Sequence, residues 1–149
     1  MEIKNLRIGN FVNFKDRIDI DYCEVTDLGS AGYVHILRNF KDGKHNDDQP
    51  ENISDITPII LTEEWLLRLD FLKHKENGRY GYKYYIPVTD YNYVVERDFK
   101  GEHFFGMEYT DSPDPKDDYV FIPISFDLKY VHQLQNIYSS LTDEELKIK

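Results

Sequence analysis

The chain has 149 residues, 40% of them hydrophobic and 15% aromatic. A chain of this length buries roughly 68–70% of its unfolded surface without a disulfide or a metal. Eighteen Lys and Arg against 28 Asp and Glu leave a formal net charge of -10. That balance repels a nucleic-acid backbone or an anionic membrane surface and suits a partner carrying basic groups.

Leu6 to Phe40 reads as short strands broken by turns. Ile8-Gly9-Asn10-Phe11-Val12-Asn13-Phe14 alternates after Gly-Asn, Ile18, Ile20 and Tyr22 alternate with polar neighbours, and Leu28-Gly29-Ser30-Ala31-Gly32 turns the chain into Tyr33-Val34-His35-Ile36-Leu37. Such a β-meander suggests an SH3-like barrel. Residues 41–52 carry no apolar side chain and are expected to form a solvated loop. Thr62 is placed to cap a helix over 62–72, with Glu63 and Glu64 complementing its dipole and Trp65, Leu66, Leu69 and Phe71 forming its apolar face.

Strands are expected again at Arg79–Val88, Tyr91–Phe99, Glu102–Thr110 and Tyr119–Ile124, mostly antiparallel. Leu128, Val131, Leu134, Ile137, Tyr138 and Leu141 at three- and four-residue spacings then predict a helix over 127–141, with Asp127 near its start. Thr142-Asp143-Glu144-Glu145 has capping-box spacing and could open a short final turn. The fold class is α+β, mostly antiparallel sheet. It is read as a single domain over 1–149, or as subdomains 1–60 (the β-meander) and 61–149 (α+β).

The one cysteine, Cys23, has no internal partner for a disulfide, which favours a reducing compartment. Met1-Glu2-Ile3-Lys4-Asn5 lacks the layout of a secretory leader, and no apolar run approaches the roughly 18 residues of a membrane helix. The expected location is the cytoplasm, without membrane association.

The candidate partner-binding residues are Tyr80, Tyr82 and Tyr84 on one strand face and Tyr91 and Tyr93 on the next strand, while Tyr85 faces the other way. Tyrosines so placed can anchor a protein, stack nucleobases, or roof the core with their hydroxyls in water. With only Arg79, Lys83 and Arg97 nearby, direct nucleic-acid binding is disfavoured. The carboxylates Glu108, Asp111, Asp114, Asp117 and Asp118 could hold a divalent cation, but two prolines interrupt them and the spacing is not that of a calcium loop. His35, His45, His74, His103 and His132 stand singly, without zinc-ligand spacing, and Gly29-Ser30-Ala31-Gly32 lacks the spacing of a nucleophile elbow. No phosphate-binding glycine motif occurs. Neither a metal, a cofactor nor a catalytic residue is assigned.

Leu6-Arg7-Ile8-Gly9-Asn10, Leu61-Thr62-Glu63-Glu64-Trp65-Leu66-Leu67 and Tyr130-Val131-His132-Gln133-Leu134-Gln135-Asn136, in that order, resemble a family of small uncharacterised proteins of phages and prophages of Bacteroides-type gut bacteria. The resemblance implies a phage or mobile-element setting inside a bacterial cell and brings no site residues with it. His132, Gln133, Gln135 and Asn136 form a polar helix face, where either solvent or a partner could sit. The leading expectation is a non-enzymatic accessory protein that binds another protein through the tyrosine-bearing strands and acidic loops. Truncating Tyr82 and Tyr93 to alanine should then weaken the complex without unfolding the chain. The alternatives are an acidic inhibitor that mimics nucleic acid on a host protein, and a small enzyme or ligand-binding protein with an unfamiliar site.

Overall fold

Period-two alternation governs most of the chain, and a computed structural model arranges it as an α+β fold of two five-stranded antiparallel sheets and, among the described residues, two α-helices. The structure describes residues 5–30, 32–43, 46–74, 82–88, 90–98, 100–109 and 120–149. The chain forms two compact units, Met1–Ile60 with Tyr130–Glu145, and Leu61–Lys129 with Leu146–Lys149.

The first unit holds strands β1 (Phe11–Phe14), β2 (Ile20–Asp27), β3 (Tyr33–Phe40), β4 (Asn46–Asn52) and β5 (Ile56–Pro58) in the order β4-β3-β2-β1-β5. One 3-10 turn, Ile53–Asp55, precedes β5. This is the connectivity of an SH3-like meander. Its core gathers Leu6, Val12, Ile20, Cys23, Val25, Val34, Ile36 and Ile56, the inward residues of the alternation.

β4 departs from the expected loop. Every residue from Asn46 to Asn52 pairs in register with β3, from Asn39 back to Tyr33. A strand with no apolar side chain is stable here because β3 supplies a complete backbone ladder and β4 lies at the sheet edge, where charges and Pro50 discourage further pairing. Arg38 on β3 holds it down by pairing with Asp47 at 3.1 Å and with Glu51, while its guanidinium lies 5.2 Å from the Phe14 ring centroid.

Helix α2 (Val131–Thr142) completes the first unit. It begins four residues later than the periodicity predicts, because Asp127 takes a left-handed φ of 58° and residues up to Leu128 continue a strand. Nor does Thr142 open a new turn. Its hydroxyl donates to the Tyr138 carbonyl at 2.9 Å and accepts from the Glu144 amide at 3.1 Å, and Asp143, also left-handed, ends the helix.

The second unit holds α1 (Glu63–Arg68) and strands β6 (Leu72–Lys73), β7 (Lys83–Pro87), β8 (Asn92–Arg97), β9 (His103–Tyr109) and β10 (Val120–Leu128), a meander ordered β10-β9-β8-β7-β6. The Thr62 hydroxyl accepts from the Trp65 amide, as its position foretells. The helix is half the predicted length because Asp70 adopts φ 68° and closes it in a Schellman arrangement: Phe71 N donates to Leu66 O at 3.0 Å and Asp70 N to Leu67 O at 3.2 Å. Phe71 and Leu66 are both buried at this stop. Lys149 N donates to the Arg68 carbonyl at 3.0 Å and the Lys149 ammonium pairs with Asp70, so segment 146–149 returns to the same helix end.

Candidate functional site

The second sheet carries the tyrosines, and its register sorts them. Cross-strand partners share a face, so Ile86, Tyr93, Met107 and Ile122, paired in sequence across β7, β8, β9 and β10, form one row. A second row lies nearer the strand ends. Val120 pairs with Tyr109, while Val88 and Tyr91 flank the β7–β8 turn, closed by Val88 N donating to Tyr91 O at 2.8 Å. Tyr91 meets Tyr93 edge-on at 5.2 Å between ring centroids, with their hydroxyls 3.2 Å apart.

These eight residues make an apolar and aromatic patch of graded exposure. Tyr93 is buried and stacks on Phe105 at 5.7 Å, and Ile86, Tyr91, Met107 and Tyr109 are half-buried. Val88, Val120 and Ile122 keep 38%, 42% and 41% of their surface in water. A hydrophobic centre with accessible aliphatic side chains is what a protein partner can cover.

The five tyrosines singled out from the sequence therefore occupy different places. Tyr91 and Tyr93 belong to the patch. Tyr84 is only 2% exposed, on the same face but toward the opposite end of the sheet, and Tyr80 lies outside the described residues. Tyr82 is 47% exposed, and the Lys73 ammonium sits 4.6 Å from its ring centroid and 5.9 Å from that of Tyr84. Lys73 donates to Glu63 at 2.7 Å. Burial, reinforced by the Glu63 carboxylate, pushes the Tyr84 phenol up to about 12. With Tyr93 stacked in the core, Tyr93→Ala removes packing as well as contact surface, so Val120 and Ile122 are the cleaner positions at which to test binding.

The opposite face of the sheet mixes aromatic and charged side chains. Lys83 pairs with Glu108, and both are buried. Gly106 precedes Glu108 by two residues on the same face of β9, and a Cβ there would stand 2.6 Å from the Phe121 ring, so the ring lies directly on the glycine backbone. Of the carboxylates weighed as cation ligands, Glu108 is thus engaged by an ammonium, and Asp111, Asp114, Asp117 and Asp118 lie outside the described residues. Among the described residues no three His, Cys, Asp or Glu side chains converge as metal ligands would. No helix there is long and apolar enough to cross a membrane. Burial pushes the Cys23 thiol up to about 11, which leaves it protonated at neutral pH.

The polar face of α2 is largely engaged within the first unit. Gln135 is fully buried, its carbonyl accepting from Phe11 N at 2.8 Å and its amide donating to Gly9 O at 2.9 Å. The Asn136 side-chain carbonyl accepts from Asn10 at 2.8 Å and from Arg7 Nε at 3.2 Å, and Arg7 also reaches Ser139 at 2.8 Å and Glu145. Residues 6–10 and 130–136, two of the three segments that carry the resemblance, thus meet as a structural clasp. The abundance of amides in Gln133-Leu134-Gln135-Asn136 was its only trace in the sequence.

His132, on α2, stacks on Tyr130 at 5.7 Å, and its Nδ1 is buried without a hydrogen-bond partner. Burial lowers the imidazole pKa of both His132 and His103 from the ordinary 6.5. As pH falls below about 6.5 the unfolded chain takes up protons that the folded chain refuses, so stability is full above that value and declines in acid. The urea midpoint is expected to drop between about pH 7.5 and pH 5.5, and His132→Asn to flatten part of that drop. An identical slope in the variant would show that His132 titrates alike folded and unfolded.

Compared with protein-family models, with curated proteins and with solved structures, the chain matches none.

Proposed function

We propose that the chain is a non-enzymatic accessory protein of a phage or mobile element that acts in the bacterial cytoplasm by binding another protein. The observation that carries this reading is the two-row patch on the second sheet, where Val88, Val120 and Ile122 stay accessible beside Tyr91 and Met107. Aromatic and aliphatic side chains fixed on a rigid sheet lose little conformational freedom when covered, which is what binding hot spots require. The net charge of -10 adds long-range attraction for a basic partner.

The test is affinity capture of the tagged chain from bacterial cells, with nuclease present, comparing the natural chain with Val120→Thr/Ile122→Thr. Threonine keeps the strand preference and removes apolar surface. A stoichiometric protein retained by the natural chain should bind the variant at least tenfold more weakly, about 1.4 kcal/mol. Equal retention by a variant with unchanged circular dichroism removes the patch as the binding surface.

A further inference from the structure

The four sheet edges differ in how they are defended against pairing with another chain. β4 is lined with Asp47, Asp48, Glu51 and Pro50. β5 has three residues and β6 two, too short to template a partner. β10 has nine residues and carries no charged side chain from Val120 to Phe126. Among the described residues nothing pairs with its outer side. Register shifts at Pro123/Ser125 and Ser125/Leu128 distort its second half, while Val120, Phe121, Ile122 and Pro123 pair regularly with β9. The regular, uncharged stretch is thus the part whose Val120 and Ile122 stand in the two rows of the patch.

Resting on the binding reading above, we infer that the partner adds as an extended strand along β10 at Val120–Pro123, and that it is a segment of another protein in which apolar and basic side chains alternate. Strand addition satisfies the open backbone groups of the edge, and alternation places one set of partner side chains on the patch beside Val120 and Ile122. The other set faces away from the patch, in the field of a chain with 28 acidic against 18 basic residues. Basic residues are attracted by that field, whereas a second copy of this chain brings its own charge of -10 and is repelled.

The probe is a fluorescent ten-residue peptide of alternating lysine and valine, titrated with the full chain and read by anisotropy. Its controls are the same peptide N-methylated at every second residue, which keeps the charge but blocks strand pairing, and a glutamate–valine peptide. The lysine–valine peptide should saturate, bind at least tenfold more weakly to Val120→Thr/Ile122→Thr, and lose at least tenfold on N-methylation along its pairing edge. The glutamate–valine peptide should not bind. Equal affinity for the N-methylated peptide overturns strand addition. So does absence of peptide binding, and if the threonine variant still loses the captured partner, the patch reading survives that failure. Concentration-dependent dimerisation abolished by the same variant also overturns the inference, by making a second copy the occupant.

Discussion

Replacing Glu108 with alanine is expected to destabilise the second unit by about 3–5 kcal/mol, because it takes the carboxylate away from an ammonium held out of water. Lys83 and Glu108 are 8% and 6% exposed, on the sheet face opposite the patch. Urea unfolding followed by the fluorescence of Trp65, the one tryptophan and part of this unit, reads the loss directly. The double replacement Lys83→Met/Glu108→Leu should recover most of it, since apolar side chains of similar size need no hydration. A cost below about 1 kcal/mol for the single variant would place the pair in the range of exposed ion pairs and contradict its burial. The pair's value is then specificity of register more than stability, for neither charge can be sealed in without the other.

The second large effect is expected at Gln135→Met, which keeps the side chain's length and removes its two hydrogen bonds. Phe11 N–H loses this acceptor in a buried position, and Gly9 C=O loses this donor in a part-buried one, where water can replace some of it. At roughly 1–3 kcal/mol for each buried group left unsatisfied, the first unit should lose about 2–4 kcal/mol. Hydrogen exchange at the Phe11 amide locates the damage, because this proton is guarded by the glutamine carbonyl. Faster exchange there, at a rate raised about 30-fold or more, is the expected signature. Unchanged protection would mean that the β1 strand finds another acceptor.

Period-two alternation made β8 and β9 legible to within two residues at each end and found β7 inside a longer expected strand, and the spacing of Val131, Leu134 and Tyr138 revealed the buried face of α2. Helix ends were less legible. Asp70 and Asp127 both take left-handed conformations that residues other than glycine adopt infrequently, so nothing in their identity announced the stop of α1 or the late start of α2. β4 escaped notice because strand patterns are read from apolar alternation, and Asn-Asp-Asp-Gln-Pro-Glu-Asn has none. Its ladder with β3 and the ion pairs to Arg38 depend on residues that only the fold brings alongside.

The candidate site was legible in part for the same reason. Alternation says which face Tyr82, Tyr84, Tyr91 and Tyr93 share, but exposure varies along that face, from 2% at Tyr84 to 47% at Tyr82. The patch also depends on Met107, Val120 and Ile122, which lie on strands the tyrosine pattern does not mention. Gln135 is the clearest case. A glutamine on a helix reads as solvated unless its backbone partners, 124 positions away at Phe11 and 126 at Gly9, are already in place.

The chain's path between its two units, 60 residues in one, the next 69 in the other, then 130–145 back in the first, has a consequence for synthesis. A ribosome delivers β1 to β5 early, yet the glutamine that ties down Phe11 and Gly9 emerges only after the whole second sheet has been made. Throughout that interval the nascent meander waits with an open seam where α2 will lie, and it must be guarded by its own ladders or by a chaperone. Fragments cut after residue 129 should consequently be short-lived in the cell, because the twenty residues they lack include the sixteen that close the first unit without adding a strand to its sheet.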